Sequence, residues 1–92
     1  MGTPQTLAEA PGFDPVIQAS SGLMHACGDD DQPYYTSTPV HDVATGSLVA
    51  LGTLAALHTR EHTGAGGRVA LSLAASSVLV QCEEMTEYQG RP

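Results

Sequence analysis

Between residues 43 and about 61 the apolar positions come so densely that charge almost disappears. Leu48, Leu51, Leu54, Ala55 and His58 recur at helical spacing, while Val49, Ala50, Ala56 and Leu57 fill the other faces. The pattern predicts a helix that is apolar nearly all round and therefore wants burial on most of its surface. Small residues at Gly46, Ala50, Gly52 and Ala56 would let neighbouring backbones approach closely. The run Thr63-Gly64-Ala65-Gly66-Gly67 ends this helix and turns the chain. Beyond it, Val69, Leu71 and Leu73 alternate with Ala70 and Ser72, a strand signal over 68–73. Ser72 or Ser76 would start a last helix reaching about residue 87, closed by Gly90 and Pro92. Upstream, residues 13–21 predict a short helix with Asp14 as N-cap and Pro15 at its first position, ended by Gly22. Residues 27–39 read as a loop with a short extended piece at Tyr34-Tyr35-Thr36. Residues 1–11, with Pro4 and Pro11, read as an irregular lead-in.

The order is thus helix, loop, long helix, strand, helix, which points to an α/β fold. One strand makes no sheet, and an all-round apolar helix has few partners in 92 residues. Residues 1–92 are therefore expected to be a single partial domain, belonging to a larger α/β domain or pairing with another chain. A chain of this size buries only about 60–65% of its unfolded surface. With no Trp and one Phe, Phe13, the core would be built from Leu, Val and Ala.

Ten acidic residues against three Arg and no Lys give a net charge of −7, which argues against binding a nucleic-acid backbone. The run Asp29-Asp30-Asp31 reads as a solvated loop. Two cysteines, Cys27 and Cys82, are too few for a disulfide framework, and Cys82 is expected as a core thiol within the last helix. The start lacks a basic and an apolar region of the signal-peptide kind, and no run of eighteen apolar residues suggests a membrane span. A soluble cytoplasmic protein with free thiols is the expectation.

Three motifs compete for chemistry. His58-Thr59-Arg60-Glu61-His62 matches the inverted zincin pattern H-x-x-E-H, which would give a zinc hydrolase with Glu61 as base. The pattern is short, His62 falls in a fraying last turn, and only Glu83, Glu84 or Glu87 follow as a third ligand. A pair of histidines complementing the helix dipole is the preferred reading, and no metal is expected. His25-x-Cys27 has no second pair at ligand spacing. The glycines after Thr63 follow a helix and precede the expected strand, the reverse of a phosphate loop. That leaves Asp42, in Pro39-Val40-His41-Asp42-Val43-Ala44-Thr45-Gly46, at the mouth of the long helix. It can cap that helix by accepting from the amides of Ala44 or Thr45. The same position can instead present an ionised carboxylate to a ligand. Spacing alone favours the cap.

Gly12-Phe13-Asp14-Pro15-Val16-Ile17-Gln18-Ala19-Ser20-Ser21-Gly22-Leu23-Met24 resembles the G-x-D-x-x-x-Q-A-x-S-G-L-M segment of the family III CoA-transferases, the CaiB/BaiF group. The likeness continues through 39–46, Ala50-Leu51-Gly52, Leu54-Ala55-Ala56-Leu57, Arg60-Glu61-x-Thr63-Gly64-x-Gly66, Val69 and Ser72-Leu73. It implies a segment of a Rossmann-like large domain, with Asp42 as the catalytic nucleophile. In that chemistry the carboxylate attacks an acyl-CoA thioester and forms a mixed anhydride. CoA thiolate converts this to an aspartyl-CoA thioester, from which a second carboxylic acid takes the CoA. Gly46 and the helix start would support the Asp42 carboxylate, Gly22 and Met24 would shape its surroundings, and the residues that bind CoA are left unassigned. CoA and acyl-CoA enter as substrates, with no permanently bound cofactor, and an interlocked homodimer is implied.

The same superfamily contains α-methylacyl-CoA racemases, whose histidine follows the glycine of G-x-D. Phe13 stands there, which favours transfer over racemisation, since racemisation needs a proton donor and an acceptor on opposite faces. Family members run to several hundred residues, so the chain is expected to be an internal fragment, inactive alone for want of substrate positioning. The competing class is a non-catalytic remnant or interaction module that docks through helix 43–61.

Overall fold

The computed structural model describes Glu9 and residues 11–90. The expected lead-in at 1–11 lies largely outside these residues. Four helices follow in order: α1 (Asp14–Ser20), α2 (Leu23–Cys27), α3 (Val40–Thr63) and α4 (Leu73–Val80). α3 packs against α4, and α1 against α2, α3 and α4.

The α/β expectation is overturned: among the described residues the fold is all helical, with no strand. Residues 65–72, expected to contain the strand, run without regular structure between α3 and α4. Alternation of apolar and small residues favours an extended backbone, but a strand exists only when a second one accepts its ladder of hydrogen bonds. Instead of pairing, this segment lays Val69 on α3. A Cβ at Gly52 would lie 2.7 Å from the Val69 side chain, so the glycine makes this approach possible. The Rossmann-like architecture is likewise not found in these residues.

The helix boundaries follow local chemistry. α1 begins one residue earlier than expected, with Phe13 at the N-cap in extended conformation and Asp14 and Pro15 in the first turn. Gly22, at φ 87°, takes the left-handed conformation that turns α1 into α2, a short helix the pattern did not suggest. α3 starts three residues early, at Val40, and ends at Gly64, whose φ of 74° closes a left-handed cap from its amide to the Arg60 carbonyl. Ser72 caps α4 by accepting from the Ala75 amide at 3.0 Å. α4 stops at Val80, well short of residue 87, so Cys82 lies outside it and is exposed rather than in a core.

Burial is inverted relative to an ordinary small domain. Among the described residues the buried apolar side chain is Ile17, whereas Asp14, Gln18, His41, Ser76, Ser77 and Gln81 are buried polar residues. Val43, Val49, Leu51, Leu54 and Leu57 of α3, and Val78 and Leu79 of α4, are exposed. The radius of gyration is 17.0 Å, against about 13 Å for a compact domain of 100 residues. The burial that the sequence demands of α3 is therefore not supplied by the described residues. By length and composition alone α3 also passes as a membrane-crossing helix, a test that the core helix of a soluble protein passes as well.

Candidate functional site

The site is built where α1 meets the first turn of α3. An α-helix begins with amides that have no intrahelical acceptor. The N-cap of α3 is Pro39, whose side chain offers no acceptor. The acceptor comes from another helix: Asp14 of α1 takes the Asp42 amide on Oδ2 at 2.8 Å. Its other oxygen, Oδ1, accepts from Gln18 Nε2 at 2.7 Å. Four residues apart, Asp14 and Gln18 share one face of α1. Gln18 also brackets the approach to α3, donating to the Thr36 carbonyl at 3.1 Å and accepting the Thr36 amide at 3.0 Å. Both side chains are buried, Gln18 completely.

Asp42 therefore does not cap its helix. It sits in the first turn, exposed, and its amide rather than its carboxylate is what the junction holds. A residue at the third helical position can fold its carboxylate back onto the N-cap amide. Here the N-cap is a proline and has no N–H. That leaves the Asp42 carboxylate free of a role in capping and directed to the surface. Gly46, one turn further along, is exposed, and a Cβ there would meet nothing within 4 Å, so the space beside Asp42 on this helix face is open.

Burial alone would raise the Asp14 carboxyl. The hydrogen bonds from Gln18 and from the amides of Asp42 and His41, with the charge of His41, outweigh it and hold the group below its ordinary value of 3.8. Asp14 is thus anionic, as a capping carboxylate beside a helix N-terminus should be. His41 is fully buried at this junction, and neither of its ring nitrogens bonds to another protein group.

Other sequence candidates fall away from this junction. Gly22 is the left-handed N-cap of α2, and Met24 is half-buried, its carbonyl accepting the Tyr34 amide at 2.9 Å. Phe13, at the position of the racemase histidine, is exposed. His58 and His62 lie on the exposed end of α3 with ring centroids 4.3 Å apart, and His62 Nδ1 is 2.9 Å from the His58 carbonyl. Among the described residues no group of three or more His, Cys, Asp or Glu gathers to hold a metal. An open groove of about 300 Å³ runs between α3 and residues 66–69, lined by Thr53, Ala56, Leu57, Arg60 and Val69 among others, and does not include Asp42. The support given by Asp14 and Gln18 is a contact between distant helices that the local pattern, in which Asp14 caps its own helix, does not show. The usable signal was the four-residue spacing of an acceptor and an amide, followed by a helix opening on proline.

The profile of CoA-transferase family III matches residues 2–92, and the chain belongs to that family. Three relatives illustrate the likeness. Succinyl-CoA:mesaconate CoA-transferase of Haloarcula hispanica is 42% identical over 80 residues, which is 86% of this chain and 20% of the relative. CoA-transferase/lyase DddD of Marinomonas is 36% identical over 81 residues, 87% of this chain and 10% of the relative. Formyl-CoA:oxalate CoA-transferase of Streptomyces coelicolor is 42% identical over 62 residues, 66% of this chain and 15% of the relative. The chain thus spans a fifth or less of the length of these relatives. No solved structure matches it.

Proposed function

We propose that this chain supplies the nucleophile of a CoA-transferase that moves CoA from an acyl-CoA to a carboxylic acid, with Asp42 as the residue that carries the acyl and CoA groups. The observation that carries the reading is the division of labour at the α1–α3 junction: Asp14 takes the cap, and Asp42 is left exposed with a free carboxylate. Membership of the family and the names of its relatives, which transfer CoA between short carboxylates, support the substrate class.

In this reading the Asp42 carboxylate attacks the thioester carbonyl, the C–S bond breaks and CoA thiolate leaves, giving a mixed anhydride. The thiolate then attacks the aspartyl carbonyl and expels the donor carboxylate, leaving an aspartyl-CoA thioester. The acceptor carboxylate repeats these two steps in reverse order, so that Asp42 is regenerated and no proton or electron is left over. Covalent catalysis divides one difficult exchange into easier ones, which suits a weak nucleophile. The dipole of α3 favours the anion that must attack. The racemase alternative lacks support, because exposed Phe13 offers no proton.

We further read residues 1–92 as a part of a larger soluble, cytoplasmic domain, with α3 as a core helix and a homodimer as the assembly. The small residues along α3 and the exposed apolar side chains support a helix made to be covered by protein. Activity is tested by grafting residues 11–90 into the matching region of the Haloarcula hispanica CoA-transferase. The graft should transfer CoA, and Asp42→Ala should lower kcat by about a thousandfold or more. Full transfer by Asp42→Ala would refute the assignment.

A further inference from the structure

We propose that Asp14 is a positioning residue for Asp42, capping α3 from a neighbouring helix so that the exposed carboxylate is fixed in place by its backbone and left free to react. This rests on the reading of Asp42 as nucleophile. Two carboxylates meet at one junction and their surroundings separate their roles. Asp14 is 3% exposed and cannot meet a thioester, while Asp42 is exposed and can.

The geometry demands a carboxylate at position 14 and no isostere. Oδ2 faces one donor, the Asp42 amide at 2.8 Å, and Oδ1 faces another, Gln18 Nε2 at 2.7 Å. Gln18 cannot turn its amide to suit a changed neighbour, because its Oε1 accepts the Thr36 amide at 3.0 Å and its Nε2 also reaches the Thr36 carbonyl at 3.1 Å. An asparagine at 14 would set its own N–H₂ against one of those two donors. The chain entering α3 is therefore held at Thr36, and the first turn is held at Asp42, by adjacent side chains of one face of α1. A nucleophile must meet its carbonyl at about 3–3.5 Å in the right direction, so slack at this turn falls on the rate of acyl transfer.

The test separates this role from a structural one and from the nucleophile reading. In the graft, Asp14→Asn should lower kcat by about tenfold or more at a KM within about twofold, measured per folded molecule. Capture of the acyl-enzyme by hydroxylamine at Asp42 should fall in step. If Asp42→Ala is inactive while Asp14→Asn keeps kcat, the positioning role is wrong and the nucleophile stands. If the active unsubstituted graft is never derivatised at Asp42, the nucleophile reading itself fails. Should Asp14→Asn not fold, the 92-residue chain gives an independent readout. In Asp42→Asn, where residue 42 carries no carboxyl of its own, its amide proton should shift in a nuclear magnetic resonance titration as Asp14 takes up its proton. A residue-42 amide indifferent to that titration overturns the proposal.

Discussion

The two ends of α3 are organised by opposite means. Its first turn is held by the Asp42 amide, which donates to the buried Asp14 carboxylate on α1, and Gln18, buried beside it, donates to that same carboxylate. The following turns carry Val49, Leu51, Leu54 and Leu57 into the open, with Val69 of the irregular segment resting at Gly52. At one end geometry is specified and little apolar surface is buried. At the other, apolar surface is plentiful and nothing among the described residues covers most of it. The contrast teaches that local precision and global stability come from different places here. Aiming a carboxylate takes a few directional bonds, whereas holding the helix takes area, at about 25 cal/mol per Å² buried.

The strongest way to break the contrast is to remove the apolar surface. The 92-residue chain should self-associate in sedimentation experiments, and Leu51→Glu with Leu54→Glu should weaken that association by about a hundredfold or more. A chain that stays monomeric and melts sharply would show that the helices suffice by themselves. Next, Asp14→Ala should cost about 1–3 kcal/mol in urea unfolding, because the Asp42 amide and the Gln18 side chain lose their acceptor. A loss below about 0.5 kcal/mol, the range of an ordinary surface change, would place the junction among the unimportant contacts. Gly28→Ala should have a comparable or smaller cost, since its Cβ would lie 2.1 Å from the Gln32 carbonyl oxygen and the loop must shift.

The pH dependence follows from Asp14. Its folded value is depressed, so the unfolded chain takes up the proton first as pH falls. The stability it confers is fully present above its ordinary value of 3.8 and is lost as pH drops through the lower folded value. Unfolding midpoints followed through that window should fall for the parent chain and flatten for Asp14→Asn. The smallest effect is a check on burial: Cys27 and Cys82 are both exposed and should react with iodoacetamide without denaturant.

Much of the helical content was legible. Pro15, Gly22, Gly64 and Ser72 act locally, through backbone conformation or a single cap, and each marks the element boundary its chemistry suggests. The expected strand failed for a non-local reason. Residues 68–73 have the alternation of a strand, but sheet formation depends on a partner that a local pattern cannot specify. Cys82 failed similarly, since α4 stops before reaching it. At the site, the sequence singled out Asp42 but assigned the cap to the wrong carboxylate. A side chain 28 positions away does that work, and Pro39, which both opens α3 and denies Asp42 a reciprocal amide, is the residue that makes the exchange intelligible.

The most direct test of the central claim is covalent capture during turnover. The graft carrying residues 11–90, supplied with acyl-CoA and hydroxylamine and digested for mass spectrometry, should yield a hydroxamate at Asp42. Transfer that proceeds with the hydroxamate elsewhere, or with none formed, would contradict it.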